Sequence, residues 1–233
     1  MKRIACFLIP LATLVALVVP ASAQTQYRFE VFGAVTIPVE KNFEIGYPQA
    51  SPPLELTHEY SPGARGGVRL GVDGAGHWGQ DFMYSYGANA TKIVNHGNLA
   101  DFAFTARVHQ AAWNLLWYPG GLGRDTGAFP YVTAGVGGIY YTVSQHTVNQ
   151  ALDPDLAGIG KLRNTGTFAF NAGAGVRMKA SDKFGVRIDF RDFMTQAVRY
   201  GLPKGSSDPD AVVFPAGGIF HQFEVSFAVV YYF

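Results

Sequence analysis

The sequence closes on His221-Gln222-Phe223-Glu224-Val225-Ser226-Phe227-Ala228-Val229-Val230-Tyr231-Tyr232-Phe233, and the reading of this stretch decides the fold. Every odd position from Phe223 to Phe233 is apolar or aromatic, while the even positions begin Gln222, Glu224, Ser226, Ala228. That is the period of a β-strand with one greasy face and one polar face. A soluble protein seldom leaves so apolar a strand at a chain end, where an open edge invites aggregation. In a closed barrel the last strand pairs with the first, and its apolar outer face meets lipid.

The same alternation recurs along the chain. From Tyr27 to Ile37, the residues Tyr27, Phe29, Val31 and Val35 oppose Arg28, Glu30, Phe32 and Ala34. Arg65 to Asp73 sets Val68, Leu70 and Val72 against Arg69, Gly71 and Asp73. Trp78 to Thr91 sets Phe82, Tyr84 and Tyr86 against Asp81, Met83 and Ser85. Pro130–Thr142, Thr165–Met178 and Phe184–Phe193 alternate likewise, the last opposing Phe184, Val186, Ile188 and Phe190 to Arg187, Asp189 and Arg191. Asp101 to Tyr118 changes phase halfway. Phe102, Phe104, Ala106 and Val108 read as outward, opposite Thr105, Arg107 and His109, whereas farther on Trp113, Leu115 and Trp117 read as outward. A β-bulge near Gln110 would reconcile the halves.

Pro38–Ala64, Val143–Asn164 and Met194–Phe220 read as long loops, Lys92–Ala100 as a polar connection, and Gly74–His77, Pro119–Phe129 and Lys179–Lys183 as turns. The expected fold is therefore all-β: a closed, antiparallel, up-and-down transmembrane β-barrel of about eight strands, with short periplasmic turns and long extracellular loops. Tyr27, Trp78, Trp117, Tyr131, Phe184, Tyr231 and Phe233 fall near the periplasmic ends. Tyr86, Phe102, Tyr140, Phe168, Phe190 and Phe223 fall near the outer ends, where aromatic girdles belong. A soluble barrel of the lipocalin kind has the same strand number with the faces inverted; the aromatic terminus and the long loops favour the membrane version.

The start of the chain reads as a signal peptide over residues 1–23: Lys2 and Arg3, an apolar core from Ile4 to Val19, then Ala21-Ser22-Ala23 as cleavage site. The mature barrel domain is then 24–233, one domain. Cys6, the only cysteine, lies in the signal, which excludes a disulfide-stapled mature fold. Removing Lys2 and Arg3 takes the formal charge from +1 to −1, which argues against a nucleic-acid partner. The 28 glycines and 18 phenylalanines suit alternating strands better than helices.

The polar faces carry Arg28, Glu30, Arg69, Asp73, Asp81, Arg107, His109, Arg177, Arg187, Asp189, Arg191 and Glu224. An ion or proton path is one reading. A paired network filling a narrow bore is the favoured one, because eight strands leave room for little beyond side chains and buried charges must be paired. Ser144 and His146 share a loop, too little for a catalytic pair without an orienting third group. The remaining histidines have no metal-ligand spacing. No cofactor motif is present, and the chain reads as non-enzymatic.

Several stretches carry a family resemblance: Tyr27-Arg28-Phe29-Glu30-Val31-Phe32-Gly33-Ala34, Trp113-Asn114-Leu115-Leu116-Trp117-Tyr118-Pro119, Phe129-Pro130-Tyr131-Val132-Thr133-Ala134-Gly135-Val136-Gly137-Gly138, Phe170-Asn171-Ala172-Gly173-Ala174-Gly175-Val176-Arg177, Arg187-Ile188-Asp189-Phe190-Arg191-Asp192-Phe193 and terminal Phe233. In these the chain resembles the small outer-membrane β-barrels, such as the transmembrane domain of outer-membrane protein A and the outer-membrane protein X and W barrels. The resemblance implies the outer membrane of a Gram-negative-type bacterium, with lipid and lipopolysaccharide around the wall. It also implies periplasmic chaperones and the barrel-assembly machinery during biogenesis, with Phe233, and Tyr231 before it, as the assembly signal. No peptidoglycan-binding domain follows the barrel, so cell-wall tethering is not expected. The expected role is envelope-structural or surface interaction; the alternatives are a narrow conduit for small apolar solutes and a lipid-modifying enzyme.

Overall fold

A computed structural model describes residues 25–39, 42–47, 54–74, 76–95, 102–123, 125–153, 159–208, 212–215 and 217–233. The signal sequence and its cleavage site lie outside the described residues. The strands are β1 (Gln26–Pro38), β2 (Asn42–Tyr47), β3 (Leu54–Tyr60), β4 (Gly63–Asp73), β5 (Gly76–Asn95), β6 (Phe102–Leu122), β7 (Gly127–Thr142), β8 (Thr165–Lys179), β9 (Phe184–Gln196) and β10 (Ile219–Tyr232). A short helix, α1 (Gln145–Leu152), follows β7.

Eight strands close a ring in the order β1-β4-β5-β6-β7-β8-β9-β10, every neighbour antiparallel, with the terminal strand back on β1. The stagger of the ring can be traced through paired residues. From Tyr27 the path runs through Val72, Gln80, Leu115, Ala134, Ala172, Asp192 and Phe223. It returns to β1 at Ile37, ten residues above its start. That shear over eight strands tilts them by roughly 40° and sets a backbone radius of about 8 Å. Such a bore holds side chains and no open channel.

The outer wall is apolar. Val31, Val35, Leu70, Val132, Phe170, Ile188, Phe190, Val225, Phe227 and Val229 are all exposed on it. At the short-turn rim Tyr27, Trp78, Trp117, Phe184, Tyr231 and Phe233 form an aromatic belt. Tyr27 stacks on Phe233 with ring centroids 6.0 Å apart, joining first strand to last. Tyr86, Tyr140 and Phe168 mark the opposite belt. An apolar wall between two aromatic belts is the surface that a bilayer covers. Two aromatics expected in these belts point inward instead: Tyr131 is buried in the bore, and Phe102 is buried in the apolar cluster at its mouth.

The phase change in β6 is not a bulge. Pairing with β5 runs without a break from Trp78↔Trp117 through Ser85↔Gln110 to Ile93↔Phe102. Even positions face inward from Phe102 to Tyr118, so Phe102, Phe104, Ala106 and Val108 lie inside and Arg107 is exposed outside. Beyond the Arg107↔Thr142 pair β6 has lost β7 and pairs only with β5. This end of the hairpin projects above the apolar wall, where water lies outside and an apolar core inside, so the polarity of the two faces inverts while the pleat continues.

Pro38–Ala64, expected as one long loop, contains two strands and the start of β4. β2 and β3 form a hairpin, and β3 adds to the projecting end of β5 from Tyr60↔Thr91 to Leu56↔Asn95. Prolines bracket these short strands, and the alternation Phe43, Ile45, Tyr47 is the local signal for the first.

Long loops fold back over the mouth of the barrel. Val148 and Ala151 of α1, Ile159, Leu162, Val198, Tyr200, Val212 and Phe214 pack on Phe102, Phe104, Val108, Ile139 and Phe220 from the bore. Hydrogen bonds tie the segments together. The Tyr60 hydroxyl donates to the Val198 carbonyl at 2.7 Å, and the Arg163 N–H donates to the Tyr200 carbonyl at 2.7 Å. Tyr200 has a φ of 49° and Gly201 one of 85°, a reversal that is strained for a tyrosine and is held by the burial of its ring. Burial, with Tyr141 alongside, holds the Tyr200 phenol well above its usual range.

Candidate functional site

Alternation sends every second side chain of the ring into the bore, and the chain fills the short-turn half with ions. Arg28 and Glu30 come from β1, Arg69 and Asp73 from β4, Asp81 from β5, Arg177 from β8, and Arg187, Asp189 and Arg191 from β9. All are buried. The Arg28 Nε lies 2.8 Å from Glu30, and its guanidinium also pairs with Asp73. Arg69 lies 3.3 Å from Glu30 and 3.0 Å from Asp189. Arg177 lies 2.8 Å from Asp73.

Arg187 is the hub. Its Nη1 donates to Glu30 at 3.0 Å and to Asp81 at 2.8 Å, its Nη2 lies 2.9 Å from Asp189, and its Nε donates to the Tyr131 hydroxyl at 2.7 Å. β5 and β9 are opposite staves of the ring, four strands apart either way. The Arg187–Asp81 contact therefore spans the bore. Arg191 joins through Asp189 at 3.3 Å.

Neutral partners complete the layer. Asn114 donates to Asp81 at 2.7 Å, Tyr131 donates to Asp189, and Arg69 donates to Ser226 at 2.9 Å. The Arg69 guanidinium also sits over the Phe32 ring, 3.9 Å from its centroid. Desolvating a charge is expensive, and it is offset here by several charge-assisted bonds to each ion.

Glycines make room for this crowding. A Cβ on Gly71 would run into the Arg28 guanidinium, and one on Gly175 into the Tyr131 hydroxyl. Gly66, which faces outward, has no atom closer than 4.0 Å to such a Cβ.

Of the residues singled out from the sequence, Arg28, Glu30, Arg69, Asp73, Asp81, Arg177, Arg187, Asp189 and Arg191 meet in this cluster. Glu224 is inside but higher, 3.8 Å from Arg65. There Arg65 also pairs with Gln110 and donates to Gln222 at 3.2 Å, and Gln222 donates to Tyr141 at 3.2 Å. Arg107 and His109 are not in the bore; the inward phase of β6 puts both on the outer face, where His109 meets the Tyr84 hydroxyl at 2.8 Å. Ser144 caps α1, accepting from the Thr147 N–H at 3.2 Å, and His146 is exposed. Tyr231 and Phe233 sit in the short-turn belt, and the Phe233 N–H donates to the Tyr27 carbonyl at 3.1 Å.

Arg65 and Tyr131 also line the bore, although the sequence pattern marks Arg65 only as a strand start and Tyr131 as a belt aromatic. Arg65 stands four residues before Arg69 and eight before Asp73 on the same inward register, which is a usable signal. Tyr131 gives no such signal, because a tyrosine near a strand end suits an interfacial belt and a polar bore equally.

No family model matches the chain, and no curated protein matches it. Solved structures do. Outer membrane protein OprG from Pseudomonas aeruginosa superposes at a TM-score of 0.54 and 14% identity, over 89% of this chain and 95% of that one. Outer membrane protein AlkL, determined in lipid bilayers, superposes at a TM-score of 0.50 and 13% identity, over 92% of this chain and 95% of that one. With its closed ring of eight strands, lipid-type wall and filled bore, the chain has the fold of the small outer-membrane β-barrels.

Proposed function

We propose that this protein is a non-enzymatic, integral outer-membrane barrel that is closed to solutes and serves the envelope as a structural element and as a surface for interaction. The carrying observation is the double closure of the bore. The Arg187–Asp81 span blocks it at one level, and the apolar cluster of loop and strand residues covers its mouth. A conducting pore keeps a continuous water-filled path, whereas paired ionic side chains occupy the bore at the first level and apolar side chains occupy its mouth at the second. Interaction would then fall to the long-loop rim, where α1 and the segments around Arg163 and Tyr200 form an ordered outer surface. Phe233 and Tyr231 are proposed as the signal read during assembly, because they end the strand that closes the ring.

The test is swelling of liposomes that contain the folded protein. Small sugars should enter no faster than into protein-free liposomes. Entry that rises with the amount of protein would overturn the proposal. Selective entry of small apolar solutes would move the reading to the conduit.

A further inference from the structure

The apolar wall has a hollow that its own side chains do not fill. The row Trp113, Val136, Phe170 and Met194 lies in register across β6, β7, β8 and β9. It lines a groove of about 920 Å³ that reaches Gln196 and Ile219 at the long-loop rim. The floor is low at Ala134, whose small side chain faces outward between Leu115 of β6 and the equally small Ala172 of β8. Immediately above, Gln196 also borders a second hollow of about 170 Å³, lined by Arg199, Lys204 and the Gly217–Gly218 backbone. Gly218 turns that backbone with a φ of 93°. Among the described residues neither Arg199 nor Lys204 forms an ion pair.

We propose that the two hollows are one site and hold a single lipid with a phosphorylated headgroup: hydrocarbon in the groove, phosphate between Arg199 and Lys204. This rests on the outer-membrane reading above. The groove by itself would accept any hydrocarbon chain. The selective part is the upper hollow, which is cationic, shares Gln196 with the groove as a common wall residue, and is placed at the rim where headgroups lie. It is smaller than the roughly 300–1,000 Å³ of a site for a drug-sized molecule, so it suits one compact group rather than a whole ligand. Arg and Lys together provide the forked and point-charge donors that phosphate takes.

Retention of lipid by the full-length protein, folded in detergent micelles and read by native mass spectrometry, tests this. The probes are lipid A carrying its phosphates and the same molecule after dephosphorylation, so the chains are identical. One phosphorylated lipid per barrel should be retained, at least tenfold more than the dephosphorylated form. Arg199→Gln combined with Lys204→Gln should remove that preference. Ala134→Phe, which raises the groove floor, should weaken retention of both forms alike. Equal retention of the two forms, a preference that survives the double substitution, or no effect of Ala134→Phe would each overturn the site. Displacement by inorganic phosphate alone would show an anion site without a lipid, and would also overturn it. A faster-running unboiled gel band from each sample reports that the barrel is folded. Failure of the wild-type protein to give that band would count against the membrane reading itself.

Discussion

Arg187 on β9 and Asp81 on β5 stand on opposite staves of the ring, yet their Nη1 and Oδ2 atoms are 2.8 Å apart. A single side-chain pair thus measures the inside of the barrel. It does so only because the shear of ten keeps the radius small, and because glycines such as Gly71 and Gly175 leave space for the guanidinium groups around it.

Removing one member of so buried a pair leaves the others uncompensated. Arg187→Gln should lower the unfolding free energy by about 3–5 kcal/mol, measured by denaturant titration of the barrel in lipid. Asp81→Asn alone should also destabilise. The double variant should lose less than the two single effects combined, because the carboxylate no longer lacks its cation. Strict additivity would mean that the pair is not coupled.

Glycine substitutions separate the two faces of the wall. Gly71→Ala places a methyl against the Arg28 guanidinium and should cost about 1–3 kcal/mol. Gly66→Ala on the outward face should leave stability unchanged or raise it slightly, since its methyl comes no closer than 4.0 Å to any atom. The same denaturant titration checks both.

Legibility followed the surroundings of each strand. Where lipid lies outside and ions inside, as for Phe184 to Arg191, polarity alternates with the pleat and both strand and face can be read from the residues. Above the bilayer the contrast reverses. Phe104 and Val108 then look outward by polarity and lie inside, and Arg107 does the opposite. β2 and β3 escape notice because short strands between prolines depend on the projecting edge of β5 for their pairing. The cap is illegible for another reason. Val198, Tyr200, Val212 and Phe214 have no period, and their burial depends on three loops meeting. At the site, most of the ion cluster could be listed, but who pairs with whom required the stagger.

The cap should be separable from the barrel. Tyr60→Phe removes the hydrogen bond to Val198 and should cost about 1 kcal/mol. Its visible effect should be local: faster tryptic cleavage at Arg199, with the gel shift of the folded barrel unchanged. Loss of the gel shift would show that cap and barrel form one cooperative unit.

Single-channel recording of the folded protein in planar bilayers tests the closed bore most directly. A bore spanned by Arg187 and Asp81 and capped by the loops should give no conductance steps across the membrane. Stable ohmic steps from the wild-type protein, present at a frequency that follows its concentration, would contradict it.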